Sequence, residues 1–371
     1  MVVNADKKDR SLRWIPTENQ TMTAQLHLES GEDHLPANSC VFSKVTAETA
    51  AALSMSTENE RVLRDDLAAL GYGDIVTVGY PRADRDKIGM TVASRTKDDI
   101  LQIAAVLRGT TGDEWYSNFE VGYAAEHSGF AKAADFAELA IGDYVFTRAI
   151  GTEPAFFVTG YSRGGAVANI LAKRLCDRYG LDRVCAYTFA SPAVTLSRLT
   201  NRYRCIFNLV REEDFFTRVP LAAWGYTRYG QDIVLPEPAD IGERFRELTG
   251  EAYIGFRHKE ETDSFLCAMA SLAPNVHAYY RRQRQVGGRR LSLYGFLHSV
   301  ADMLSGHMDE ETADVLVSAM ISDYADLVSF LSSGAELEEL IASACAIPRC
   351  SVADSHSPAA YMAALERFLK Q

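Results

Sequence analysis

The sequence lacks several things that would each have set a class. Its first residues, MVVNADKKDRSLRW, hold no apolar stretch of the kind that forms a secretory signal, so a cytoplasmic location is the expectation. No run of 18 or more apolar residues occurs anywhere, and a membrane-spanning helix is therefore not expected. The seven cysteines (Cys40, Cys176, Cys185, Cys205, Cys267, Cys345 and Cys350) are odd in number, scattered, and never spaced C-x-x-C. Several lie in apolar strand or helix contexts, where a thiol behaves as a small core residue. Neither disulfides nor a metal is expected, and no cofactor. Positive charge is also short: 38 Lys and Arg against 50 Asp and Glu leave a net charge of −12. With no excess to neutralise phosphates, nucleic acid is not an expected partner. One basic run, Arg281 to Arg290 (RRQRQVGGRR), reads as a solvated helix end and loop.

What remains is ordinary globular composition, 47% hydrophobic and 24% charged, over 371 residues, enough for one large domain or two medium ones. No internal repeat or low-complexity linker is evident. Residues 1 to about 45 are poorly periodic, with TMTAQLHLES as a possible edge strand. Thr46 to Leu70 reads as one Ala- and Leu-rich helix ended by Gly71 and Gly73. Asp74 to Tyr80, Lys87 to Arg95 and the more continuously apolar Asp99 to Leu107 read as strands. A helix over Ala131 to Ile150 follows, then a strand from Ala155 to Thr159 and a helix from Gly164 to Tyr179. Arg183 to Ala190 and Tyr203 to Val210 read as two more buried strands. Strand and helix in alternation indicate an α/β sheet, mostly parallel, with right-handed crossovers. After Val219-Pro220 the texture changes. From about 240 to 345 the patterns are helical, as in Ser264 to Leu272, Leu293 to Leu304, Glu310 to Leu331 and Ala335 to Cys345. An inserted helical cap is the expectation.

The organising stretch is AFFVTGYSRGGAVAN, Ala155 to Asn169. An apolar run meets a glycine-flanked serine and then small helix-forming residues, the pattern G-x-S-x-G of a sharp strand-to-helix turn that exposes its serine. Gly160, Gly164 and Gly165 supply room where a Cβ would collide with the strand or helix passing close by. Ser162 then stands at a helix N-terminus, where free N–H groups favour a developing anion.

A nucleophilic serine needs a base, a group to orient that base, and donors for the oxyanion. Asn208 to Pro220 (NLVREEDFFTRVP) is a buried strand running into a loop, and Asp214 lies just past the strand's end, with Glu212 and Glu213 as neighbours able to substitute. Five histidines follow the serine. His258 sits in a charged segment (RHKEE), and His277, His298 and His307 lie in or near the expected cap helices. His356, in ADSHSP, occupies a short polar loop before a terminal helix (Ala359 to Leu369), where a chain returning to the sheet edge would present a base. His298 stands next. For the oxyanion, one donor is the amide of Arg163, directly after the serine. The loop LRGTTGDEWYSN (Leu107 to Asn118) offers the amide of Thr110 as the second.

Together these pieces resemble the class 3 lipase family of α/β-hydrolases. VLRGTTGDEWYSNF (Val106 to Phe119) is similar to that family's oxyanion segment, FFVTGYSRGGAVANILA to its elbow, and AYTFASPAV (Ala186 to Val194) to its strand ending in G-x-P. DFFTRVP is similar to its acid loop, and HSPAAYMAAL (His356 to Leu365) to its His followed by a Tyr that opens the last helix. The resemblance covers roughly residues 75 to 222 and the last fifteen or so. It implies Ser162 as nucleophile, Asp214 as orienter, His356 as base, and Thr110 and Arg163 as oxyanion donors. Three positions depart from the family: Tyr161 replaces the customary His, Ala190 replaces a Gly, and about 140 residues separate Asp214 from His356.

The expected organisation is an N-terminal extension (1–45), a core of α/β-hydrolase type with a mostly parallel sheet flanked by helices (46–235), a helical cap (236–348), and a return carrying the base (349–371). The expected activity is hydrolysis of carboxylic esters, small-molecule or lipid, with transient contact to a lipid surface and the oligomeric state left open. A non-catalytic binding protein on the same fold, and an acyltransferase or peptidase using the same triad, are the alternatives.

Overall fold

The computed structural model describes residues 40–80, 86–111, 117–118, 124–149, 151–220, 222, 225–263 and 352–370, and the backbone alone of 13–16 and 22–25. Two short strands, β1 (Arg13–Pro16) and β2 (Met22–Gln25), pair antiparallel in a sheet of their own. The edge strand expected in TMTAQLHLES is thus a partner of β1 and not part of the main sheet.

The main sheet has seven strands in chain order: β3 (Gly73–Val78), β4 (Met90–Lys97), β5 (Ile100–Leu107), β6 (Pro154–Tyr161), β7 (Val184–Phe189), β8 (Ile206–Val210) and β9 (Gln231–Val234). β3, β4 and β5 form an antiparallel meander, and from β5 to β9 every pairing is parallel. That is the expected mostly parallel sheet flanked by helices. Helices α3 (Ser128–Arg148) and α4 (Arg163–Tyr179) make the crossovers into β6 and β7. The central strands read as near-continuous apolar runs because both their faces are covered. Alternate residues serve opposite faces: Ala104 and Val106 of β5 join Phe157, Tyr187 and Phe189 in one core. Ile103, Ala105 and Leu107 join Phe156, Val158 and Ala186 in the other.

α3 and α4 cover the second face. The first is covered by α1 (Lys44–Met55), α2 (Glu60–Ala69), α5 (Ile241–Thr249) and the last helix, α7 (Pro358–Leu369). Ala47, Ala50 and Ala51 of α1 are fully buried, so their small side chains let the helix lie close to the sheet. The single helix expected over Thr46 to Leu70 is two. α1 stops where the Ser56 hydroxyl bonds back to the Ala52 carbonyl at 2.7 Å, and α2 restarts where Asn59 accepts from the Val62 amide at 3.2 Å.

Strand β8 begins at Ile206, later than expected, because residues 200–202 are a 3₁₀ turn. Strand β9 had no clear signal: it is four residues long and largely exposed at the sheet edge. α5 falls within the expected cap, yet its Ile241, Phe245 and Leu248 pack into the core with α7, and Arg244 grips Glu366 through two contacts of 3.0 and 2.6 Å. The helices expected between Ser264 and Cys345, with His277, His298, His307 and the basic run Arg281 to Arg290, lie outside the described residues. The chain re-enters as a short helix, α6 (Val352–His356), followed directly by α7. His356 therefore ends a helical turn and does not sit in the polar loop expected of ADSHSP. Among the described residues no helix is long and apolar enough to cross a membrane.

Candidate active site

The carboxyl ends of β5, β6, β7 and β8 open on one edge of the sheet, where parallel α/β sheets hold their sites. β6 is buried throughout and passes into α4 with one residue between them. That residue is Ser162, with φ 56° and ψ −123°. Such a backbone costs an L-residue on the order of 1–3 kcal/mol and persists only where the surroundings hold it. Here the Ser162 amide donates to the Phe189 carbonyl at 2.9 Å, and its own carbonyl accepts from Ala166 at 3.0 Å. The glycines are sterically required. A Cβ on Gly160 would lie 2.3 Å from the Gly164 carbonyl oxygen, and one on Gly164 would lie 2.3 Å from the Leu107 oxygen and 2.6 Å from that of Arg108. The second contact also shows how tightly the loop after β5 is drawn onto the elbow.

Three side chains form one hydrogen-bonded line. His356 Nε2 is 2.8 Å from Ser162 Oγ, and His356 Nδ1 is 2.8 Å from Asp214 Oδ2. An ionised carboxylate only accepts, so Nδ1 carries the proton and Nε2 is left to accept from the serine hydroxyl. Asp214 is completely buried. Its Oδ1 accepts from the Phe216 amide at 2.9 Å, and its Oδ2 accepts a second bond from the Tyr361 hydroxyl at 2.8 Å. The imidazole lies beside the rings of Phe216 and Tyr161, at centroid distances of 4.5 and 5.7 Å. Burial, and then the charge of Asp214, push the phenols of Tyr161 and Tyr361 well above their usual range, so both remain donors.

Glu212 turns to Lys259, with 2.6 Å between them, and Glu213 lies 4.0 Å from Arg211. His258 is exposed. Thr110 and Arg163 are linked through a residue that sequence reading gave no role. Asn118 donates from Nδ2 to Thr110 Oγ1 at 2.9 Å and accepts on Oδ1 from Arg163 Nη1 at 2.8 Å. The fully buried Arg163 also donates to the Lys87 carbonyl at 3.2 Å. The signal for Asn118 was its place in the segment resembling the oxyanion loop; its partner, 45 positions away, was not legible. Tyr361, which donates to Asp214, was legible only as part of the resemblance, and Arg211 was given no role. Among the described residues no group of three or more His, Cys, Asp and Glu side chains is gathered as a metal site.

Residues 91–224 match the family model described as Lipase (class 3). Solved structures similar to the chain include a lipase from Rhizopus microsporus var. chinensis, 18% identical over 58% of this chain and 84% of that one, with a TM-score of 0.42. The triacylglyceride lipase of Rhizomucor miehei is 18% identical over 53% and 82%, with a TM-score of 0.38. A lipase of Yarrowia lipolytica is 16% identical over 46% and 68%, with a TM-score of 0.35. No curated protein matches the chain. The class 3 lipase match over residues 91–224 takes in Ser162 and Asp214 and supports a carboxylic ester hydrolase.

Proposed function

We propose that the protein cleaves carboxylic esters of lipid type through an acyl-enzyme on Ser162, with His356 as general base and acid and Asp214 as its orienter. The observation that carries this is the pair of 2.8 Å contacts from the two nitrogens of one imidazole, one to a strained, elbow-borne serine and one to a buried carboxylate. Ser162 Oγ attacks the ester carbonyl carbon while Nε2 of His356 takes its proton. The imidazolium so formed is stabilised by Asp214, which stays ionised. The negative charge moves to the carbonyl oxygen, where the amides of Arg163 and Thr110 serve as donors, each worth about 3 kcal/mol in systems of this kind. The tetrahedral intermediate collapses, His356 passes its proton to the departing alkoxide, and the alcohol leaves. Water then enters, gives a proton to His356, and releases the acid by the same steps in reverse order.

Asn118 supports the oxyanion donors, since it fixes the Thr110 hydroxyl and the Arg163 guanidinium at once. The test is labelling with a fluorophosphonate probe of the wild type, Ser162→Ala and His356→Ala, followed by hydrolysis of p-nitrophenyl esters of graded chain length. Labelling of the wild type alone is expected, with both variants folded. A folded wild type that takes no label and turns over no ester would sink this proposal.

A further inference from the structure

We propose that Tyr161 and Arg211 are positioning residues that act through His356, latching the segment that carries it by two successive peptide oxygens, those of Ser355 and His356. This rests on His356 being the base. α6 is five residues long, far below the length at which a helix stands by itself. The carbonyls at a helix end have no partners within the helix, and here the following chain cannot supply them. Pro358 opens α7 and has no N–H. The Ser357 amide and hydroxyl both go to the Asp354 oxygen, at 3.2 and 2.8 Å, and the Ala360 amide goes to the Ser357 hydroxyl at 3.2 Å.

The oxygens of Ser355 and His356 are met from the core instead. Arg211 Nη1 donates to the Ser355 oxygen at 2.8 Å, and the Tyr161 hydroxyl donates to the His356 oxygen. Each donor comes from a strand end that also carries a member of the triad. Tyr161 is the last residue of β6, directly before Ser162. Arg211 directly follows β8, three positions before Asp214. The base is therefore referenced to the strand of the nucleophile and the strand of the acid together.

Both donors are themselves held. Arg211 is fully buried; its Nη2 donates to Glu237 and to the Tyr253 hydroxyl, and its amide donates to the Tyr361 hydroxyl at 3.3 Å. The Tyr161 ring packs edge-on against Tyr361 with centroids 5.5 Å apart. Backbone amides complete the grip, Ile254 on Asp354 Oδ2 at 2.8 Å and Phe256 on Ser355 Oγ at 2.6 Å.

Tyr161→Phe deletes one hydroxyl and keeps the ring. It is expected to lower kcat on a soluble p-nitrophenyl ester roughly ten- to hundredfold with KM unchanged, because an ångström of misplacement has consequences of that size. The strongly downfield proton NMR resonance of His356 Nδ1–H, shared with Asp214, is expected in the wild type and weakened or lost in the variant. Arg211→Lys, which can still donate one bond, is expected to retain more kcat than Arg211→Met. If Arg211→Met does not fold, Tyr161→Phe and Arg211→Lys decide. A folded Tyr161→Phe with wild-type kcat and an unchanged resonance overturns the latch while leaving the hydrolase proposal intact. A wild type that shows the resonance but takes no fluorophosphonate sinks the hydrolase proposal. The latch then stands if Tyr161→Phe loses the resonance and falls if it keeps it.

Discussion

Tyr361 and Asp214 form a buried pair in which the phenol donates to Oδ2 at 2.8 Å, the same oxygen that receives His356 Nδ1. One carboxylate oxygen thus serves His356 and the last helix together. Tyr361→Phe leaves the Arg211 amide and half of that oxygen's bonding without a partner in a dry interior. The expected result is a loss of stability of about 1–3 kcal/mol, read by urea unfolding, with kcat lowered roughly tenfold. A variant as stable and as active as the wild type would show the phenol to be a bystander.

The elbow sets two alanine–glycine substitutions against each other. Gly164→Ala places a Cβ against two backbone oxygens, at 2.3 and 2.6 Å, and no rotamer change relieves a backbone clash. It is expected to cost more than about 3 kcal/mol, or to displace the oxyanion loop and abolish labelling. Ala190 is the reverse case, an L-residue at φ 52°. Ala190→Gly relieves about 1 kcal/mol of left-handed strain but gives back a similar amount of unfolded-chain entropy and a buried methyl. Its melting temperature should stay within a few degrees of the wild type, whereas that of Gly164→Ala should not.

Asn118→Ala cuts the link between Thr110 and Arg163. A fall in kcat of about tenfold is expected with KM little changed, because loop placement is lost while the groups that bind the ester remain. Steady-state kinetics on one ester decides it. A rise in KM at unchanged kcat would assign Asn118 to substrate binding.

Stability should carry an acid-side dependence traceable to His127. Burial, and then the Arg163 guanidinium, hold its imidazole down to about 3 from an ordinary 6.5, and it stacks on Phe130 with centroids 4.1 Å apart. Between those values the unfolded chain binds the proton and the folded one does not. The contribution is therefore full above pH 6.5 and is lost as pH falls toward 3, at about 1.4 kcal/mol per pH unit. Glu237 acts in the opposite direction, since burial raises it from 4.5 to about 7. The comparison must therefore be wild type against His127→Phe across pH 4 to 7. The difference between the two curves should grow toward acid, and parallel curves would remove His127 from the account.

Much of this architecture is written in local pattern. The apolar run of β6, the glycines around Ser162 and the small residues of α4 are legible because each part obeys its own short-range rule. The order Ser162, Asp214, His356 is legible too, but that their side chains meet is not, since 142 positions separate the last two. Strand β9 went unread because an exposed edge strand of four residues has no face to declare. The split between α1 and α2 turned on the hydroxyl of Ser56 and the cap of Asn59, weak signals inside a helix-rich composition. Tyr161 stood out in the sequence only as an exception to a motif. Its use depends on a carbonyl 195 positions away, beyond the reach of any pattern.

The last helix gives the molecule an order of completion. α7 fills one of the two cores with Ala360, Tyr361, Met362 and Ala364, while the turn before it presents His356. Under the proposed mechanism, a chain that stops short of residue 352 lacks the imidazole that activates Ser162. Under that mechanism reactivity arrives with the same segment that seals the interior, so an incompletely folded molecule is also a chemically silent one.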